Sequence, residues 1–167
     1  MKLLRVGLVG NEKPAALDKT GKIRDLSKHL DDFNISTLNF ETLEKLKKVN
    51  LESLPEVSSS LRVGSCIAKP GKFLAVGLNY SDHAIETNAK IPKEPIIFNK
   101  AANSMIGPND SIILPKLSKK LDWEVEIAFV VGKKTKYISE KDAPNYILGY
   151  CIVNDISERE WQKERGG

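Results

Sequence analysis

Two glutamates two residues apart, Glu124 and Glu126, open the most strongly alternating stretch of the chain, Asp122-Trp123-Glu124-Val125-Glu126-Ile127-Ala128-Phe129-Val130-Val131. In a strand, side chains at i and i+2 share a face, so the two carboxylates stand side by side, and their repulsion is tolerable if a cation or water neutralises it. Trp123, Val125, Ile127, Phe129 and Val131 alternate onto the other face. For the pair alone, the solvated face of a half-wet antiparallel strand is the plainer reading. Asp155 adds a third carboxylate after the apolar run Cys151-Ile152-Val153, at a strand end where functional side chains are often displayed; a turn or capping aspartate fits that position equally well. Three carboxylates with no histidine or thiolate nearby suit a hard cation, Mg²⁺, Mn²⁺ or Ca²⁺, and disfavour zinc.

The chain has two histidines. His29 has no obvious partner and reads as a surface residue. His83 follows a buried-type strand and a glycine in Gly77-Leu78-Asn79-Tyr80-Ser81-Asp82-His83-Ala84-Ile85-Glu86, where Ser81 or Asp82 can cap a short helix. On that helix His83 and Glu86 are i, i+3 neighbours. A carboxylate beside an imidazole fixes its tautomer and raises its basicity, which is how a water-activating base is built, although a surface His/Glu pair has the same spacing. Downstream of Asp155, Arg159 and Gln162 share a helical face, where a guanidinium and an amide can receive a substrate carboxylate or keto oxygen, or simply pair with Glu158 and Lys163. There is no P-loop, no dinucleotide glycine fingerprint and no Gly-x-Ser-x-Gly elbow, so nucleotide and serine-hydrolase readings lack support.

The elements that must position these groups follow from pattern and turn chemistry. Leu3 to Val9 is strand-like, Gly10 to Pro14 breaks it, and Ala15 to Asp18 resumes before a turn at Lys19-Thr20-Gly21-Lys22, which predicts a small antiparallel unit. Leu43, Leu46, Val49 and Leu51 mark an amphipathic helix between Asn39 and Glu52. Ser58-Ser59-Ser60 reads as a linker, giving a small N-terminal domain at 1–60 and a second at 61–167. The second is richer in strands: Phe73–Val76, Ile96–Phe98, Ser111–Leu114, Trp123–Val131 and Tyr150–Val153. Short helices are expected after Asn79, between Asp142 and Leu148, and after Ser157, where Ser157 and Glu160 form a capping box that opens a helix at Glu158. The fold class is α+β.

With 167 residues, 41% hydrophobic and 29% charged, the composition is that of a globular chain rather than a disordered or fibrous one. No apolar run approaches the ~18 residues of a membrane span, and a cytoplasmic protein is the expectation. Cys66 and Cys151 show no metal-type spacing and read as reduced core thiols. The net charge of +4 is spread over scattered lysines with no basic stripe, which argues against nucleic acid as a partner.

Taken in order, Gly77-x-Asn79-Tyr80-x-x-His83-x-x-Glu86, Pro95-x-x-Phe98-x-Lys100, Gly107-Pro108, Asp122-Trp123-Glu124-x-Glu126 and Gly149-Tyr150-x-x-x-Asn154-Asp155-x-Ser157-x-Arg159-x-x-Gln162 resemble the fumarylacetoacetate hydrolase family over about Val63 to Gly167. Gly21-Lys22-Ile23-Arg24-Asp25-Leu26 is similar to the bacterial branch labelled ureidoglycolate lyase or 2,4-didehydro-3-deoxy-sugar-acid hydrolase. The resemblance implies a mixed β-roll, here incomplete, with a small N-terminal α/β appendage, a homodimer, and a divalent cation, Mg²⁺ or Mn²⁺, on Glu124, Glu126 and Asp155. It places a catalytic His and Glu of a lid on His83 and Glu86, and substrate contacts on Arg159 and Gln162. The implied activity is that of a metal-dependent hydrolase or lyase cleaving a C–C bond in a small oxo acid, a 2,4-dioxo acid of the acylpyruvate type; ureidoglycolate lyase activity, decarboxylation of oxaloacetate, isomerisation of an unsaturated dioxo acid, or a non-catalytic metal-binding fragment are the rivals. It also implies a tract with a catalytic lysine and a second half of the roll beyond Arg165-Gly166-Gly167. A chain without that half is expected to leave apolar faces uncovered.

Overall fold

The N-terminal ladder is organised by one aspartate. In the computed structural model, which describes residues 1–166, β1 (Lys2–Val6) pairs antiparallel with β2 (Lys13–Leu17), β2 with β3 (Ile23–Asp25), and β3 later with β4 (Glu56–Val57). At the β2–β3 turn the Asp18 carboxylate accepts from the Thr20 and Lys22 backbone N–H groups at 2.8 and 3.0 Å, from the Thr20 hydroxyl at 2.7 Å and from Arg24 Nε at 2.7 Å. Gly21 supplies the positive φ of +85° that this turn needs. The predicted amphipathic helix is shorter than its pattern: α1 (Phe40–Lys47) opens on Asn39, whose side chain accepts from Thr42 N–H at 2.9 Å. Its Leu46 joins Ala16, Leu26 and Phe33 in one buried cluster, and Val6, Ala15 and Ile23 form a second.

Past the Ser58–Ser60 segment the chain returns to the first sheet. Arg62 and Gly64 continue the first sheet, with Gly7 N–H donating to Arg62 C=O at 2.9 Å and Gly64 N–H to Arg5 C=O at 2.8 Å. Arg62 reaches Asp110 through two bonds of 2.7 and 2.6 Å and Glu12 at 2.8 Å, so the Gly107–Asp110 turn is pinned onto the N-terminal sheet. Arg5, itself buried, pairs with Asp32 and Glu12 in the same network.

Beyond this point the chain forms β5 (Leu74–Gly77), α2 (Ser81–Glu86), β6 (Ile96–Asn99), β7 (Leu121–Asp122), β8 (Val125–Val131), β9 (Ile147–Asn154), β10 (Ser157–Glu158) and α3 (Arg159–Lys163). β5 pairs with β6, β8 with β9 and β7 with β10, and every ladder among the described residues is antiparallel. Several boundaries differ from the sequence pattern. Ser111–Leu114, expected as a strand, pairs in no ladder among the described residues, and Ile113 is 89% exposed. The helix expected between Asp142 and Leu148 is a 3-10 turn, Glu140–Tyr146, capped by Ser139. In α2 the N-cap is Tyr80, with no side-chain cap from Ser81 or Asp82.

Glu158, not Ser157, caps α3, accepting from Trp161 N–H at 2.8 Å, because the helix begins at Arg159, one residue later than the pattern, and the cap position falls on Glu158. The helix ends at Lys163, and Gly167 lies outside the described residues. Among the described residues no helix is long and apolar enough to cross a membrane.

The core sits almost wholly in the first 68 residues; past them, Ala84 is the one buried apolar side chain described. The expected uncovered apolar face is present on β8–β9. Val125, Ile127 and Phe129 on β8 and Tyr150 and Ile152 on β9 are each 59% exposed or more.

Candidate metal and oxo-acid site

The register of β8 and β9 builds the site. Val125 pairs with Asn154 and Glu126 with Val153, so the next pair along the ladder is Glu124 with Asp155, joined by Asp155 N–H donating to Glu124 C=O at 2.8 Å. Directly opposed residues share a face, and Glu126 lies on it two residues further along. Three carboxylates separated by up to 31 sequence positions therefore meet at one corner. The face itself departs from the plainer sequence reading. Glu124 and Asp155 are 25% and 12% exposed as side chains, whereas the apolar residues on the opposite face are open to solvent. The carboxylates occupy the sheltered side of the hairpin.

Two of them are paired with cations of the chain. Lys100, just past the end of β6, donates its ammonium to Asp155. Arg159, the first residue of α3, donates Nη2 to Glu124 and Nε to Asp122 at 2.9 Å, and its Nη1 reaches Gln162 Oε1 at 3.1 Å. Arg159 and Gln162 thus meet on one face, as their spacing predicts. The Arg159 bond holds the Asp122 carboxyl below the usual carboxylate range. Glu126 accepts no hydrogen bond among the described residues. Partial burial, together with the neighbouring Glu124 and Asp155 charges, pushes its carboxyl above the ordinary 4.5, against the pull of His83 and Lys100.

His83 is therefore within electrostatic reach of Glu126. It stands exposed on α2, behind Leu78, whose φ of +47° turns the chain out of β5 into the helix and is an uncommon conformation for a branched residue. Glu86, on the same helix, is also exposed and makes no hydrogen bond to His83 among the described residues.

The donor types are those a hard divalent ion prefers: three carboxylates on one face of the hairpin, one of them without a hydrogen-bond partner among the described residues. As the side chains stand, no three His, Cys, Asp or Glu groups among the described residues close into a ready cage, and two of the three carboxylates are spent on Lys100 and Arg159. The residue that sequence reasoning passed over is Lys100. It belongs to the Pro95-x-x-Phe98-x-Lys100 stretch, and a lysine ending an apolar strand was the one available signal. The structure also brings Cys66 and Cys151 together as free thiols. A hydrogen bond to Cys151, reinforced by burial, pushes the Cys66 thiol up. A groove of about 520 Å³ lined by Lys28, His29, Thr42 and Lys45 lies on the N-terminal part and includes none of these groups.

A hairpin that presents carboxylates from opposed strand positions, a histidine helix after a short strand, and an Arg/Gln helix after the aspartate follow one another along a mixed α+β chain. The sequence pattern described as fumarylacetoacetate (FAA) hydrolase, C-terminal, matches residues 72–166, and the chain belongs to that family. A Burkholderia orbicola (strain MC0-3) protein, provisionally named a hydrolase, is 51% identical over 167 residues, covering 100% of this chain and 59% of its own length. The chain thus spans about three fifths of that curated relative.

Among solved structures, a fumarylacetoacetate hydrolase from psychrophilic Exiguobacterium antarcticum superposes with a TM-score of 0.80 at 27% identity, over 99% of this chain and 59% of that one. A 5-carboxymethyl-2-hydroxymuconate delta-isomerase from Mycobacterium smegmatis gives 0.68 at 26% identity, over 100% and 59%. The fold is of the fumarylacetoacetate hydrolase type, and its neighbours include hydrolases and isomerases.

Proposed function

We propose that the chain contributes the metal-binding part of a cytoplasmic, homodimeric, divalent-metal-dependent hydrolase or lyase that cleaves a C–C bond in a 2,4-dioxo acid of the acylpyruvate type. The observation that carries this reading is the pairing of Glu124 with Asp155 across β8–β9, with Glu126 beside them. Mg²⁺ or Mn²⁺ on these three carboxylates would polarise a chelating oxo-carboxylate as a Lewis acid. Arg159 and Gln162, already in contact, orient the substrate's oxygens by directed hydrogen bonds. His83, with Glu86 on the same helix, takes the proton from the attacking water. Within the family, the Gly21–Leu26 segment favours the branch labelled ureidoglycolate lyase or 2,4-didehydro-3-deoxy-sugar-acid hydrolase.

The test is a calorimetric titration of Mn²⁺, followed by oxalate, into the chain and its Glu126→Gln variant, with circular dichroism melts of both. Binding by the first and its loss in the second supports the reading. A chain that melts cooperatively and binds no Mn²⁺ overturns it. A second reading, isomerisation of a related unsaturated dioxo acid, is favoured by the structural likeness to a delta-isomerase. Assaying a full-length relative on both substrate types separates them: C–C cleavage of an acylpyruvate supports hydrolysis, and isomerisation of the unsaturated dioxo acid without cleavage supports the second reading.

A further inference from the structure

We infer that Lys100 is a tethered cation that occupies the divalent-ion position at Asp155, so that metal binding and release of the Lys100 ammonium are a single event; this rests on the metal reading above. Three observations carry it. First, among the described residues Lys100 Nζ is the sole cation bonded to Asp155, and that pair is largely sheltered, at 25% and 12% side-chain exposure. A divalent ion at this corner and the ammonium on Asp155 repel each other and compete for the same carboxylate charge, which favours one over the other.

Second, Lys100 is built to let go. Its backbone is fixed by Lys100 N–H donating to Phe73 C=O at 2.8 Å, at the end of the β5–β6 ladder, but its ammonium has no second acceptor among the described residues. Arg159 differs: it keeps Asp122 at 2.9 Å and Gln162 at 3.1 Å even if Glu124 turns away. Third, the released ammonium has a resting place. The Phe98 ring lies two residues back, with Nζ 5.9 Å from its centroid, close enough for a cation–π contact that holds the charge beside the site. The consequence is a site that keeps its carboxylates neutralised in the absence of metal and exchanges a monovalent internal ion for a divalent external one.

The experiment measures Mn²⁺ affinity by calorimetry for the full 167-residue chain and for Lys100→Met, Lys100→Arg and the exposed control Lys19→Met. Removing a charged hydrogen bond that the metal must break tightens Mn²⁺ binding by about ten-fold in Lys100→Met, whereas Lys100→Arg and Lys19→Met stay with the wild type. A second arm needs no variant. Reductive methylation of the wild-type chain, read by mass spectrometry, modifies Lys100 faster in saturating Mn²⁺ than in chelator. Equal Mn²⁺ affinity for wild type and a folded Lys100→Met, or Lys100 methylation unchanged by Mn²⁺ that the wild type demonstrably binds, overturns the inference and leaves the metal reading standing. If no protein in the series binds Mn²⁺, the metal reading fails and takes this inference with it.

Discussion

Replacing Glu126 by Gln is expected to stabilise the metal-free chain while abolishing its affinity for Mn²⁺. Glu126 is the carboxylate with no hydrogen-bond partner among the described residues, set beside Glu124 and Asp155. It stands two residues from Glu124 on one strand and diagonal to Asp155, each about 7 Å away. At an effective dielectric of about 20, one like-charge pair at that separation repels by about 2 kcal/mol. Lys100 and Arg159 offset much of this at Asp155 and Glu124, and half-exposed groups are further screened, which leaves a net gain of about 1 kcal/mol on neutralising Glu126. For a chain of this size that raises Tm by about 2–4 °C. The assay is thermal melting by circular dichroism in chelator at pH 7, at low and high salt. Because the Debye length falls from about 10 Å at 0.1 M to about 3 Å at 1 M, the gain shrinks in high salt. An unchanged or lowered Tm at low salt, or a gain that survives 1 M salt, refutes the electrostatic reasoning.

Other perturbations have signs fixed by the same structure. The Thr20 hydroxyl, with Arg24 and two backbone N–H groups, holds the Asp18 carboxyl well below its ordinary 3.8, so folding favours its charged form. Its contribution is present above that pH and is lost as pH falls toward the folded value; the stability gap between wild type and Asp18→Asn in urea melts therefore narrows on acidification below 3.8. Gly107→Ala places a methyl 2.2 Å from the Val63 carbonyl oxygen and 3.0 Å from the Asp110 carboxylate. Relieving that clash disturbs the Arg62–Asp110 pair and costs about 3 kcal/mol, read as a clear drop in Tm. The exposed face of β8–β9 drives self-association, so light scattering gives a mass above 18.6 kDa, and Phe129→Glu lowers it; a wild-type chain that elutes as a clean monomer contradicts this.

Much of the local structure is legible one residue at a time. Alternation marks β8, the Lys19–Lys22 turn residues mark the β2–β3 hairpin, and Asn39 marks the start of α1, because each depends on neighbours within a few positions. Ser111–Leu114 was misleading for the converse reason: its pattern is strand-like, but a strand exists only where a partner supplies the other half of the ladder. Ser157 likewise has the composition of a cap, but α3 begins one residue later and the cap falls to Glu158.

For the site, the sequence by itself determined the types of group available: three carboxylates, a histidine on a short helix, and an Arg/Gln pair at helical spacing. It could not say which face of β8 would be sheltered, since alternation distinguishes two faces without naming the inner one. Tertiary structure decided that, by turning Glu124 and Glu126 inward and leaving Phe129 and Ile127 outside. It also decided that Asp155 opposes Glu124 and that Lys100, 55 residues before Asp155, reaches it. Both are contacts between distant segments, set by strand register and chain path, and no local propensity encodes them.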